Sequence, residues 1–207
     1  KKREKMQPQG KQFTTKVGNN EITFETGKLA GQAGGAVTAR VGDSLVFAAV
    51  TMAHSIREGL DFFPLSVDFE EKMYAGGKIP GSFFRREGRP GDDAVLVARL
   101  TDRPMRPLFD NNMRNEVQVT MYTLSSDSVH PLDITAINAA SAATIISDIP
   151  WNGPIGAVRI GRIDDAFVIN PTFEEMEQSK LDLRVAGTRE AILMVESDSE
   201  EVSEDLM

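Results

Sequence analysis

Apolar and polar residues alternate with a period of two along much of the first third of the chain. The stretches "KQFTTKV" and "NEITFETG" flank Gly18-Asn19-Asn20, and alternation about a Gly/Asn turn predicts a β-hairpin. A second hairpin is expected in "GAVTARVGDSLVFAAVTMA", pinned at Gly42-Asp43, and "DFFPLSVDFEEKM" adds a strand. Residues 11 to 73 therefore read as an antiparallel sheet. At Asp92-Asp93 the period changes. Val95, Leu96, Arg99, Leu100 and Arg103 recur at helical spacing behind two residues suited to a helix start, and Pro104 is expected to stop that helix near Asp102.

The remaining elements follow the same logic. "EVQVTMYTL" alternates as a strand, and the alanine-rich "PLDITAINAASAATIIS" opens with Pro131, a favoured first helical residue. Its small side chains allow close approach, so it is expected to lie buried on the sheet. A hairpin turning at Asp164-Asp165, a short acidic helix in "TFEEMEQSK" and a strand pair, "LDLRVAGT" with "AILMVES", complete the pattern. Strands in runs punctuated by helices predict an α+β fold with a mixed sheet and packed helices. Residues 1–10 read as a flexible charged tail and 11–198 as one domain. Residues 199–207 read as the start of a helix, with Ser203 ahead of acidic residues and Leu206-Met207.

Composition narrows the function classes. With 207 residues there is enough chain for a real core, and 41% hydrophobic with 26% charged residues is ordinary for a soluble protein. No apolar run approaches the length of a membrane span, the basic start lacks an apolar segment behind it, and there are no cysteines. A cytoplasmic protein without disulfides or thiolate metal sites is expected. The net charge of -8 is unevenly spread. Between Lys72 and Arg106 eight basic side chains face four acidic ones, a local net of +4, whereas from Asp164 onward thirteen carboxylates face three basic residues. Local potential governs contact with a polyanion, so a basic island on an acidic body is compatible with RNA at that island.

The island contains "SFFRREGRPGDD". Its glycines and proline mark a surface loop. Arg85, Arg86 and Arg89 offer forked donors for phosphate, and Phe83 and Phe84 offer ring faces for unpaired bases. The plainer alternative tucks a phenylalanine under the loop and pairs the arginines with Glu87, Asp92 or Asp93. Arg99, Arg103 and Arg106 either extend the basic path or pair with Asp93 and Asp102 on their own helix. "GKLAGQAGGAV" holds glycines and Lys28 in the wrong order for a phosphate-binding loop and leads into a strand. His54 and His130 are the only histidines, and nothing in the sequence pairs them.

"FFRREGRPGDDAVLVARLTDRPMRPLF" resembles the loop and helix of the first RNase PH-like core of bacterial polynucleotide phosphorylases. "GKLAGQAGGAVTARVGDSLVFAAV", "HPLDITAINAASAA" and "KLDLRVAGTREAILMVESDSEEVSED" resemble the same family in the same order. The resemblance implies an RNase PH-like (ribosomal protein S5 domain 2-like) fold. It also implies a phosphate-dependent 3′-to-5′ exoribonuclease, or polyribonucleotide nucleotidyltransferase, acting in mRNA degradation. In that family three full-length chains form a homotrimer ring around single-stranded RNA, with RNA-degradation complexes as further partners. Phe83, Phe84, Arg85 and Arg86 are then expected at the constriction, supported by Arg89, with Arg103 and Arg106 on the path.

The family's catalytic centre belongs to a second core, so no catalytic or metal-binding residue is assigned here. Mg2+ and inorganic phosphate are expected only in that second core. There a Gly-Ser-Ser-Ser run holds phosphate, and two aspartates six residues apart, followed by a lysine, serve magnesium and acid catalysis. The corresponding places here read "SSDSVHPLD" and "LDLRVAGT": Pro131 has no amide to offer, Arg184 replaces the lysine, and Met176 stands six residues before Asp182. Glu175 and Glu177 flank Met176, but neighbours on a helix or strand point apart. A stand-alone, non-catalytic RNA-binding ring subunit is the alternative from a different class.

Overall fold

The computed structural model describes residues 9–81 and 88–199. Two hairpins form where the alternation places them: β1 (Lys11–Val17) with β2 (Asn20–Thr26), and β3 (Gly35–Val41) with β4 (Ser44–Met52). Strand β5 (Leu65–Glu71) departs from the expected antiparallel run. It does not pair with β4. The later strand β6 (Val117–Ser125) lies between them, antiparallel to β4 and parallel to β5. Parallel neighbours need a long crossover, supplied here by the chain between β5 and β6. Sequence alternation marks a strand but not its partner. The sheet order is β1-β2-β3-β4-β6-β5.

The crossover contains α1 (Asp92–Met105), which carries Pro104 inside its last turn instead of ending at Asp102. A proline there loses one helical hydrogen bond, while Pro104 and Met105 are both buried. The chain then tightens into a 3-10 turn at Arg106–Leu108. The alanine-rich segment forms α2 (Leu132–Ile145), with Pro131 at the N-cap and not, as expected, the first helical residue. The four-stranded antiparallel sheet β10-β9-β7-β8 follows. Its strands are β7 (Gly156–Ile163), β8 (Ala166–Ile169), β9 (Leu181–Gly187) and β10 (Ile192–Ser199). At the β7–β8 turn Asp164 and Asp165 have φ of 48° and 62°, the left-handed conformation that a two-residue hairpin demands and aspartate tolerates. Helix α3 (Phe173–Glu177) begins with a capping box between Thr172 and Glu175.

Helix α2 is buried nearly all round, between the first sheet and β7. Ala136, Ala139, Ala140 and Ala143 are fully buried in one core cluster with Val46, Val50 and Val119 of the first sheet and Ala157, Ala186 and Met194 of the second. Two polar residues of α2 bond across to the second layer. Asn138 Nδ2 donates to the Ala157 carbonyl at 3.0 Å, and its Oδ1 accepts from the Ala157 amide at 2.9 Å. Ser141 Oγ donates to the Ile155 carbonyl at 2.7 Å and accepts from the Ile155 amide at 3.0 Å. These bonds tie the helix to the start of the second sheet.

The approach of β3 to α2 requires glycine at position 35: a Cβ there would meet the Ala143 carbonyl oxygen at 2.0 Å. Gly35→Ala is therefore expected to destabilise the protein by about 1–3 kcal/mol through overpacking. A lowered urea midpoint at unchanged slope checks this.

Candidate nucleic-acid interface

The 3-10 turn Met73–Gly76 follows β5 and is closed by Gly77 at φ 68°, whose amide donates to the Tyr74 carbonyl at 3.0 Å. This turn and the first turn of α1 face one another across a cleft lined by Glu71, Lys78, Arg89, Asp93, Ser126 and Ser128, among others. The loop between them carries Phe83, Phe84, Arg85 and Arg86, which lie outside the described residues. Its downstream flank is described. Gly88, Arg89, Pro90 and Gly91 are exposed, and Gly91 is the N-cap of α1. Arg89, Lys78 and Arg99 are exposed, and none has an ion pair among the described residues.

The other helical arginines are engaged. Arg106 donates through Nε and Nη2 to both Asp102 oxygens, at 2.9 and 2.7 Å. It also reaches the carbonyls of Leu65, at 3.2 Å, and Phe63, at 3.4 Å. This is the i,i+4 pair raised as an alternative from the sequence, and it also ties α1 to the start of β5. Arg103 pairs across the fold with Glu196 of β10 at 3.3 Å, not with an acid on its own helix. Asp92 and Asp93 occupy the first turn of α1, where carboxylates favour the positive end of the helix dipole.

A second charged cluster sits between α2 and the second sheet. Asp182 of β9 accepts from Arg159 Nε at 2.7 Å and Nη2 at 2.5 Å, and from Arg184 Nη2 at 2.9 Å. Asp133 of α2 lies 3.2 Å from Arg184 Nε and 3.7 Å from Arg159 Nη1. The approach to Arg184 is an ion pair without hydrogen-bond alignment. Burial would raise the Asp182 carboxyl, but hydrogen bonds and charge from Arg159 and Arg184 outweigh it and hold the group below its ordinary 3.8. Burial likewise opposes the charge on Arg159, while Asp182 and Asp133 push its pKa up.

These carboxylates do not suit a divalent ion. Both Asp182 oxygens are already held by guanidinium groups, and a metal would have to displace two fixed cations from a half-buried site. No group of three or more potential ligands occurs among the described residues. The sequence alone could not reveal Asp133 and Arg159 as partners of Asp182. The three stand on different elements, with no spacing to link them.

The "SSDSVHPLD" segment is likewise filled from within. Asp127 Oδ1 accepts from the amides of Val129 at 2.8 Å and His130 at 3.0 Å, and from Ser44 Oγ at 2.9 Å. Asp127 Oδ2 is 2.7 Å from His130 Nδ1 and 3.2 Å from the Asp43 amide. Burial works against this charge. The bonds from His130, Val129 and Ser44 prevail and place the Asp127 carboxyl far below the usual range. Amides that would otherwise face an anion are thus taken by the chain's own carboxylate, which fastens the β3–β4 turn to the approach of α2.

Two sheets enclosing a buried helix, with strand β5 inserted by a parallel crossover, define an RNase PH-like α+β protein. The chain belongs to the 3′ exoribonuclease family. It matches domain 1 of that family over residues 19–150 and domain 2 over residues 153–207. It is 56% identical over 184 residues to the polyribonucleotide nucleotidyltransferase of Thermomicrobium roseum, covering 89% of this chain and 23% of that protein. It is 55% identical over 197 residues to the protein of the same name from Halothermothrix orenii, covering 95% and 28%. The chain thus spans about a quarter of the length of these relatives. Rice (Oryza sativa) Rrp46 shares the fold at a TM-score of 0.69 and 16% identity, over 97% of this chain and 85% of that one. The Archaeoglobus fulgidus exosome with RNA bound to the active site matches at 0.64 and 15%, over 96% and 81%.

Asp182 and Asp127 both have depressed folded-state pKa values, so each contributes stability that is fully present above its unfolded value near 3.8 and is lost as pH falls through the folded value. Asp182→Asn is expected to cost about 2 kcal/mol at pH 7, allowing for partial exposure. The deficit relative to the parent should shrink as pH drops below 4. Urea titrations of both proteins between pH 7 and pH 3 check this, and a constant deficit would contradict it.

Proposed function

We propose that this chain is the first RNase PH-like core of a phosphate-dependent 3′-to-5′ exoribonuclease, a polyribonucleotide nucleotidyltransferase of cytoplasmic mRNA degradation. In this reading the core helps build a trimeric ring and guides single-stranded RNA, while bond breaking takes place in a second core. Its high identity to proteins of that name supports the reading, as does the absence, among the described residues, of a helix long and apolar enough to cross a membrane.

The contrast between two sets of arginines carries the proposal. Arg159 and Arg184 are consumed in neutralising Asp133 and Asp182, whereas Arg89 is exposed and has no ion-pair partner among the described residues. A guanidinium held by buried acids cannot turn to a phosphate without leaving a charge unpaired. An exposed one beside a glycine-rich bend is free to do so. Phe83, Phe84, Arg85 and Arg86 are assigned to the strand together with Arg89, the rings stacking on bases and the cations meeting phosphates. Arg103 and Arg106 contribute positive potential beside this path. Mg2+ and inorganic phosphate are assigned to the second core, and no residue of this chain takes part in that chemistry.

Replacing Arg85, Arg86 and Arg89 together by alanine in the full-length protein is expected to weaken binding of a single-stranded oligoribonucleotide and to flatten its salt dependence. The slope of log K against log salt should fall by about 0.7 for each phosphate that is no longer neutralised. An unchanged slope would remove these arginines from the RNA path. Asp182→Asn, assayed below its unfolding temperature, is expected to leave the phosphorolysis rate within about twofold, because the group is not poised for acid–base chemistry. A several-hundredfold drop would place the active site in this core.

A further inference from the structure

The charged cluster between α2 and the second sheet extends as far as α1. Glu196 of β10 stands directly opposite Arg184 of β9 in the strand register, where opposite charges attract across the ladder. Its Oε1 lies 3.5 Å from Arg184 Nη1, and its Oε2 accepts from Arg103 Nη1 at 3.3 Å. Arg184 is in turn held by Asp182 and Asp133. Charges therefore alternate from the two inner acids through Arg184 and Glu196 to Arg103.

Arg103 differs from its neighbours on α1. Every nitrogen of the Arg106 guanidinium is engaged, by Asp102 or by a backbone carbonyl. Arg99 is exposed and has no partner among the described residues. The Arg103 side chain is 55% exposed, and Glu196 is its one polar contact among the described residues. A guanidinium has five N–H donors, so that single bond leaves most of the fork open. The three arginines line a groove between α1 and β5. This groove meets the cleft beside Arg89 at Pro90 and Ala94, which line both. An exposed ion pair by itself holds a long side chain loosely. Here the second oxygen of Glu196 faces Arg184, which is fixed between two acids, so the acceptor offered to Arg103 has a set position. Without it Arg103 would stand one helical turn, about 6 Å, from the like charge of Arg99 with no anion to hold it.

We propose that Glu196 is a positioning residue, which holds Arg103 over the α1–β5 groove with donors free for a phosphate of single-stranded RNA. Binding then avoids the entropy of ordering that side chain. The proposal rests on the reading of Arg103 as lying beside the RNA path. Simple electrostatics gives the opposite sign. Removing an acid beside the track of a polyanion strengthens binding through the local potential, whereas removing an acid that positions an arginine weakens it.

The test uses the full-length protein and a single-stranded oligoribonucleotide. Arg103→Ala is expected to weaken binding about fivefold near 0.1 M salt and to lower the slope of log K against log salt by about 0.7, the share of one phosphate. Glu196→Gln is expected to move both quantities toward the Arg103→Ala values, and to add nothing in the Arg103→Ala background. Glu196→Ala takes its place if the glutamine variant does not match the parent by circular dichroism. A lowered urea midpoint with an unchanged salt slope would reveal a merely structural role and overturn the proposal. Tighter binding by Glu196→Gln, or a weakening that persists in the Arg103→Ala background, would overturn it as well. Unchanged binding by Arg103→Ala would instead remove the reading of Arg103 itself, and the proposal with it.

Discussion

Helix α2 has almost no solvent-facing side, and most of the architecture follows from how it is accommodated. Its alanines let the first sheet approach so closely that Gly35 abuts a helical carbonyl. Two of its polar side chains find partners in the second sheet's layer. Asn138 and Ser141 do so by completing the backbone pairing of Ala157 and Ile155. Once α2 is fixed against both layers, the second sheet cannot slide relative to the first without breaking buried hydrogen bonds, each costly to leave unmade. The placement of the charged clusters is a consequence of that constraint.

Asp133 shows the consequence most clearly. It sits in the first turn of α2 and faces β9 and β7, where it meets Arg184 and Arg159. Two acids and two arginines close on one another in a half-buried space. Such networks contribute little net stability but are costly to leave incomplete. The same logic applies at Asp127, which occupies amide and hydroxyl donors from two segments, Asp43-Ser44 and Val129-His130. Between them, the two clusters leave the region beside α2 chemically quiet. The exposed arginine beside the glycine-rich bend, just ahead of α1, is left open by contrast.

Several features of the local chain were legible without coordinates. The two early hairpins, the Asp164-Asp165 turn, the acidic helix and the last strand pair all follow from short-range pattern. Turn chemistry and side-chain periodicity act over a few residues. Two local expectations needed adjustment. Pro104 continues α1 into its last turn because its ring is buried there, and Pro131 caps α2 instead of opening it.

What the amino-acid order determined by itself is the set of elements, the basic island around the glycine-rich loop and the family signature. Each depends on residues close together in the chain. The parallel placement of β5 beside β6, the engagement of Arg106 by Asp102 and two carbonyls at the start of β5, and the union of Asp133, Arg159 and Asp182 were decided only in three dimensions. Pairing between strands and between buried charges is settled by which surfaces the core brings together. Residues separated by tens of positions carry no mark of that in their spacing.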